Sequence, residues 1–292
     1  MKKSSEYPAL YTGANDLSNQ SQRLYLWLLR AEYSLLITAA AVALIPKPSS
    51  TLQVMHALIF VGLGALLIYR SMSKPEQDWY KGRALAESIK TLSWRYCMRA
   101  APFEDAADIK EVRANFRNQL KEILSANRHI GDKIPPDSAA NDQITSKMDQ
   151  IRATSLEQRR SYYLEQRIRE QRAWYVRKAR ENRNAARAWI VACIATYACA
   201  VAILTLRPLF PDWEVWPYEP LIVVASSIIG WMQIKKFNEL VSAYTLTAHE
   251  IGIVQGRLEE ADLEDEFSEF VNEAELAFSR EHTQWVARQN AL

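Results

Sequence analysis

Histidine and cysteine are the residue types most suited to metal binding or nucleophilic chemistry, and neither has a spacing typical of such sites here. His249 and Glu250 are followed by Ile-Gly-Ile-Val, so the second histidine of a zinc-binding HExxH motif is missing. Cys97, Cys193 and Cys199 contain no CxxC pair, which argues against a zinc site and against a disulfide framework. Glycine-rich phosphate loops and the GxSxG nucleophile motif are also missing. We therefore expect no enzymatic activity and no cofactor.

The overall charge is nearly balanced, with 36 Lys and Arg against 34 Asp and Glu and a net charge of +2. No global basic field therefore favours nucleic acid as a partner. Residues 1–20 are polar and lack the apolar centre of a signal peptide. The unpaired cysteines fit a reducing compartment.

The segment 146–206 contains neither Gly nor Pro, but its character changes along its length. Residues 146–187 are rich in charged residues that form helices well. Residues 188–206 contain no group that is charged at neutral pH, and they approach the roughly 20 residues that cross a bilayer as a helix. The sequence therefore predicts one long unbroken helix that leaves the membrane and continues into water.

Three further apolar segments fall at 33–45, which 24–29 could extend, at 54–69 and at 221–234. Short connections join the first segment to the second and 188–206 to the last. We therefore predict an all-α membrane protein with four transmembrane helices arranged as two hairpins, with long cytosolic helical extensions. The predicted domains are a first hairpin with its cytosolic helices at 1–127, a linker at 128–145 and a second hairpin with its helices at 146–292.

Many basic residues follow the second and fourth predicted spans and precede the third. The short turns at the other ends of the spans contain only Lys47 and Arg207. The positive-inside rule therefore places both termini and the large polar segments in the cytosol. The flanking basic residues are Arg70, Lys74, Lys81, Arg83, Arg177, Lys178, Arg180, Arg183, Arg187, Lys235 and Lys236.

The polar segments between and after the spans show apolar residues at helical spacing, which predicts amphipathic helices at 79–99, 105–127, 237–261 and 263–288. One interpretation is a solvated helical bundle of coiled-coil character with charges on its exposed faces. The other is a body that senses a signal or binds a partner.

Small residues recur at every fourth position in the predicted spans, which allows another helix to approach closely. This pattern favours packing within one chain, self-association into a multi-subunit pore, or both. No charged residue lies at the centre of a span, which disfavours an alternating-access transporter. The candidate packing and pore residues are Ala188, Ala192, Thr196, Ala200, Ser226 and Gly230.

Two signatures resemble a known family. Residues 78–96, DWYKGRALAESIKTLSWRY, follow a pair of spans, and residues 279–288 read SREHTQWVAR. Both resemble segments of the SLATT family (DUF4231-like), whose two-transmembrane domains are associated with SMODS nucleotidyltransferases and SLOG proteins. The order of the two signatures resembles a tandem SLATT arrangement, one domain type in each half.

The resemblance implies a regulated membrane-disrupting or pore-forming effector of a bacterial antiphage system, acting by abortive infection under nucleotide signalling. It implies a homo-oligomer in the bacterial inner membrane, in contact with lipid. Its signal would come from a nucleotide second messenger or from a cytosolic sensor protein. Two alternatives stay open: a membrane-anchored helical scaffold that recruits a partner, and an ion channel or transporter.

The polar and aromatic signature residues are the candidates for sensing that signal. Their Arg and Lys side chains could hold phosphate, and their Trp side chains could stack on a base. In the alternative interpretation, the charges pair within the bundle and the tryptophans anchor its core. The candidates are Arg83, Glu87, Lys90, Trp94, Arg280, Glu281, His282 and Trp285.

Overall fold

A computed structural model describes residues 7–105, 108–136, 138 and 142–290 of the chain, without the side chains of 259–260 and 279–290. The described residues are helical or lie in turns and connections, and none of them forms a strand. The predicted all-α fold class is therefore confirmed at the level of secondary structure.

Eleven α-helices are described, and two short helical turns of other types join some of them. One is a π-helical turn at Leu164–Arg169, and the other is a 3₁₀ turn at Arg207–Leu209. The α-helices are α1 (Ala9–Ala43), α2 (Ser50–Ser73), α3 (Pro75–Cys97), α4 (Ile109–Ala126), α5 (Arg128–Gly131), α6 (Ser146–Arg152), α7 (Leu156–Tyr163), α8 (Glu170–Leu206), α9 (Tyr218–Lys235), α10 (Phe237–Glu260) and α11 (Glu264–Asn290).

Local capping explains several of the helix boundaries. Ser49 precedes α2, and its side chain accepts a hydrogen bond from the Leu52 amide. Lys74 ends α2 with a left-handed backbone (φ 45°), and Pro75 then begins α3, where its missing amide hydrogen costs nothing. Lys236 separates α9 from α10 with a similar conformation (φ 48°).

The prediction of one unbroken helix over 146–206 is wrong. A capping box starts a new helix at Ser155: its side chain accepts a hydrogen bond from the Gln158 amide, and the Gln158 side chain accepts one from the Ser155 amide. Because both bonds satisfy amide groups that a continuous helix would bond internally, the chain breaks between α6 and α7. Within the segment 146–206, α8 is the helix that contains both charged residues and the apolar residues 188–206.

The chain forms two compact units, and each draws on separate parts of the sequence. The first comprises the described residues of Met1–Leu24, Pro75–Arg172 and His249–Leu292, and the second comprises Tyr25–Lys74 and Ala173–Ala248. Both units take residues from the predicted domains 1–127 and 146–292. The division into domains with these boundaries remains a prediction.

In the first unit, α3 is the central helix and packs against α11, α4, α6 and α5. Its residues Ile89 and Tyr96 are fully buried, and the ring centre of Tyr96 lies 5.0 Å from that of Phe116 on α4. Phe267 and Val271 of α11 are also fully buried. The apolar spacing that predicted these amphipathic helices therefore corresponds to the core of this unit.

Three helical stretches are long and apolar enough to cross a membrane: Ala9–Ala43, Ser50–Cys97 and Leu156–Leu209, where consecutive helices count as one stretch. Their apolar parts lie in α1, α2 and α8, because α3 and the segment before α8 are rich in charge. The fourth predicted span falls in α9, an 18-residue helix that is not among these three. Three candidate spans are therefore found, and the fourth stays a proposal.

In the second unit, specific contacts join the apolar helices. The Arg70 guanidinium of α2 pairs with Glu32 of α1 at 2.8 Å. A Cβ atom at Gly230 of α9 would lie 2.6 Å from the hydroxyl of Tyr33 on α1, so glycine permits this close approach. By contrast, α2 has no buried residue.

The Gly230→Val substitution should separate α1 from α9. Because the added side chain overlaps Tyr33, we expect a cost of about 1–3 kcal/mol and a lower apparent Tm in detergent. Gly64→Val on α2 is the matched control, since no atom lies within 4 Å of a Cβ there. Equal Tm values for the two variants would contradict the α1–α9 contact.

Candidate functional site

Four predicted signature residues lie on one face of α3, because positions 83, 87, 90 and 94 follow the i, i+4, i+7, i+11 spacing of a helix. The Arg83 guanidinium lies 2.7 Å from one carboxylate oxygen of Glu87, and the Lys90 ammonium lies 3.7 Å from the other. Glu87 and Trp94 are buried. The structure thus brings together the four candidates from the first signature.

A second pair of charges, which the sequence analysis missed, lies close to this face. Arg167 donates from Nε to Glu275 Oε1 at 2.7 Å and from Nη2 to Oε2 at 2.6 Å. The hydroxyl of Tyr163 also donates to Oε1, at 2.9 Å. The side chains of Arg167 and Glu275 are only 2% and 0% exposed, so this two-pronged ion pair is fully removed from water.

Aromatic rings enclose the Arg167 guanidinium. Its central carbon lies 4.7 Å from the ring centre of Phe278 and 6.0 Å from that of Trp94. Trp94 in turn donates its indole N–H to the hydroxyl of Tyr7 at 3.1 Å. We call Arg83, Glu87, Lys90, Trp94, Arg167 and Glu275 the buried charge cluster.

Burial and neighbouring charges shift the titration of the cluster. Burial lowers the pKa of Lys90 to about 8; Glu87 opposes this shift, while Arg167 and Arg83 add to it. Burial also acts against the charge of Arg167, but Glu275 outweighs it and holds the pKa of Arg167 above its ordinary value. The Arg167–Glu275 pair therefore stays ionised, whereas Lys90 is close to losing its proton at mildly alkaline pH.

One donor group of the cluster is unsatisfied. Within the described residues, Nη1 of Arg167 is buried without a hydrogen-bond partner. Arg167 belongs to the π-helical turn, a type of turn that occurs often at functional sites. An unsatisfied donor beside aromatic rings has the chemistry needed to bind an anionic group.

Two further buried arginines bind the carboxyl end of α3. Arg152 donates to the Tyr96 carbonyl at 2.8 Å, and Arg159 donates to the Met98 carbonyl at 2.9 Å. Arg159 also pairs with Glu264 at 2.7 Å. Cations at this end of a helix satisfy its last carbonyl groups and oppose its dipole, so we assign these arginines a structural role.

The candidates from the second signature lie on the described backbone of α11, but their side chains are outside the described residues. A role in sensing therefore remains a prediction for them. Glu275 and Phe278, just before them on the same helix, both contact Arg167. The residues concerned are Arg280, Glu281, His282 and Trp285.

The small residues of the predicted spans lie in different environments. Gly230 faces Tyr33 inside the second unit, and Thr196 bonds to the Ala192 carbonyl of its own helix at 2.8 Å. Ala192, Thr196 and Ala200 are half-buried, whereas Ala188 and Ser226 are exposed. Packing within the chain explains Gly230, and self-association through the other positions remains a prediction.

The Glu275→Gln substitution should destabilise the protein strongly, because it leaves the Arg167 charge buried and unpaired. We expect a cost of about 3–5 kcal/mol, measured as a fall in apparent Tm in detergent. Glu273→Gln is the control: Glu273 pairs with Arg257, but both side chains are at least half exposed, so the cost should stay below about 1 kcal/mol. Similar losses in the two variants would contradict the assigned role of the pair.

The amine of Lys90 should have a lower pKa than the amines of the exposed lysines. Carbon-13 NMR of reductively methylated protein should show one lysine signal with a midpoint near pH 8, because burial disfavours the charged amine. That signal should disappear in Lys90→Arg. If the Lys90 signal instead titrates above pH 9.5, the described burial of its amine is wrong.

The comparisons with known proteins agree with the two signatures. The profile of SMODS and SLOG-associating 2TM effector domain 3 matches residues 8–160, and that of domain 1 matches residues 163–285. Neither a curated protein nor a solved structure matches the chain. Because the first matched range alone covers more than half of the sequence, and the second follows it directly, the chain belongs to the SLATT family and contains two SLATT domains in tandem.

Proposed function

We propose that this protein is a regulated membrane-disrupting or pore-forming effector of a bacterial antiphage system. Its family consists of two-transmembrane effector domains that associate with SMODS and SLOG proteins. The observation that carries the proposal is the combination of this membership with three stretches that are apolar enough to cross a membrane. The protein would act in the inner membrane and cause abortive infection.

The proposed topology has four spans with both termini in the cytosol, and α9 provides the fourth. Its apolar residues 221–234 lie between Glu219 near its start and Lys235 at its end. A short helix with charges only at its ends can span a bilayer that thins locally around it. The basic residues that follow α2 and α9 support a cytosolic position for those ends.

The proposed pore forms when several copies assemble. On α9, residues Ile222, Ser226, Ile229 and Gln233 are exposed and share one face, because they follow the i, i+4, i+7, i+11 spacing. This face alternates apolar and polar side chains, which suits the lining of a narrow water path between helices. Val191 and Ile194 of α8 are also exposed and would contact lipid or a neighbouring copy.

The proposed trigger acts on the first unit. Its buried charge cluster contains an unsatisfied arginine donor, and aromatic rings lie beside it. These groups would respond to a nucleotide second messenger, or to a sensor protein that contacts the surrounding helices. A buried charge is sensitive to any change in its partners, so displacing one of them would rearrange the site.

Membrane potential tests this proposal. Cells that express the protein should depolarise during phage challenge, and Ser226→Leu with Gln233→Leu should abolish the depolarisation by removing the polar groups of the α9 face. Ile222→Leu with Ile229→Leu changes the same face without changing its polarity and should depolarise like the wild type. Immunoblots of the membrane fraction check that all variants are present in equal amounts.

An unchanged potential in wild-type cells, with growth still arrested, would contradict pore formation and favour the membrane-anchored scaffold. Equal depolarisation in the two double variants would show that the α9 face does not line the conducting path.

A further inference from the structure

Two cations in the second unit share one aromatic ring. The guanidinium carbon of Arg30 on α1 lies 5.4 Å from the ring centre of Trp231, and the ammonium nitrogen of Lys235 lies 5.9 Å from the same centre. Both distances fall within the range of a cation–π contact. A single indole therefore holds two positive charges from two different helices.

The packing of α1 against α9 brings these groups together. Tyr33 meets Gly230, while Arg30, one turn earlier on α1, meets Trp231, which lies beyond Gly230 on α9. This reversed order is that of antiparallel neighbours. The contact at Gly230 thus fixes the position of the two cations.

Nearby cations have carboxylate partners, but these two have none among the described residues. Arg70 pairs with Glu32 at 2.8 Å, and Lys178 pairs with Glu181 at 2.7 Å. Arg30 and Lys178 also lie close enough to Lys235 to repel its charge. The site therefore carries an excess of positive charge that no protein group neutralises within the described chain.

The site lies where the apolar segments meet polar sequence. Lys235 directly follows the apolar residues 221–234. Trp189 lies at the start of the apolar part of α8, and its ring centre is 6.4 Å from that of Trp231. Tryptophan and basic residues are typical of the level of lipid headgroups. Trp27, one turn before Arg30, is 60% exposed and offers an apolar surface beside the charges.

We propose that Arg30 and Lys235, held by Trp231, bind the phosphate headgroup of an anionic phospholipid. The guanidinium over the indole keeps N–H groups free to bond phosphate oxygens, and the ammonium adds a second charge. Basic pockets between membrane helices on the cytoplasmic side recognise anionic headgroups in this way. The apolar residues that directly precede Lys235 on α9 would contact the glycerol and acyl region, which a free phosphate lacks. The inference rests on the proposed membrane placement of α9.

Native mass spectrometry of the full chain in detergent tests the site, with phosphatidylglycerol and phosphatidylcholine as probes. We expect phosphatidylglycerol to bind at least about fivefold more tightly, and each of Arg30→Gln and Lys235→Gln to weaken it about fivefold. Arg70→Gln is the matched control, because it removes the same charge from a cation that Glu32 already neutralises, and it should bind like the wild type. Arg30→Lys keeps the charge and should retain most of the preference.

Equal binding of the two lipids, or an equal loss in Arg70→Gln, would overturn the proposal. Competition by inorganic pyrophosphate at the same concentration as the lipid would also overturn it, because the site would then bind a soluble anion. If Arg30→Gln also lowers the Tm, two other variants test the site. Arg30→Lys should then keep most of the preference for phosphatidylglycerol, and Lys235→Gln should bind this lipid about fivefold more weakly; equal binding by these two variants would overturn the proposal. The experiment measures lipid binding in detergent, without the trigger and without a membrane potential. A negative result would therefore be distinct from a negative result for pore formation.

Discussion

The buried ion pair between Arg167 and Glu275 is the constraint on which the first unit depends. The two residues are 108 positions apart, and Glu275 accepts bonds from both Arg167 and Tyr163. Removing these charges from water costs several kcal/mol per ion unless the geometry of the pair repays it. The unit therefore needs the π-helical turn and α11 in place together, and α3 must cover them with Trp94.

This constraint joins the two SLATT domains. Trp94 and Lys90 lie in the first matched range, whereas Arg167 and Glu275 lie in the second. The tandem chain therefore does not fold as two independent bodies in this region, because α3 of one domain packs on α11 of the other. In the proposed effector, the same shared cluster would receive the signal, and the apolar helices of the second unit would act on the membrane.

Local patterns predicted much of this fold, and contacts between distant residues explain what they missed. Apolar spacing indicated α3, α4, α10 and α11, and the helical register of Arg83, Glu87, Lys90 and Trp94 placed them on one face. The Arg167–Glu275 pair could not be found this way, because its partners belong to different helices and resemble ordinary surface charges in sequence. The break before α7 depends on two capping bonds at Ser155, which helix-forming composition obscures. α9 has only 18 residues and includes Glu219 and Lys235 at its ends, so the fourth span stays proposed.

Hydrogen–deuterium exchange of the full chain, compared between wild type and Glu275→Gln, tests the central claim most directly. If the ion pair holds the two SLATT domains in one cooperative unit, amides of α3 and of α11 should be protected to a similar degree in the wild type and should lose protection together in the variant. Peptides from α2 should change little, because α2 belongs to the other unit. Loss of protection in α11 while α3 keeps its own would contradict the account, since it would show that the two domains fold separately.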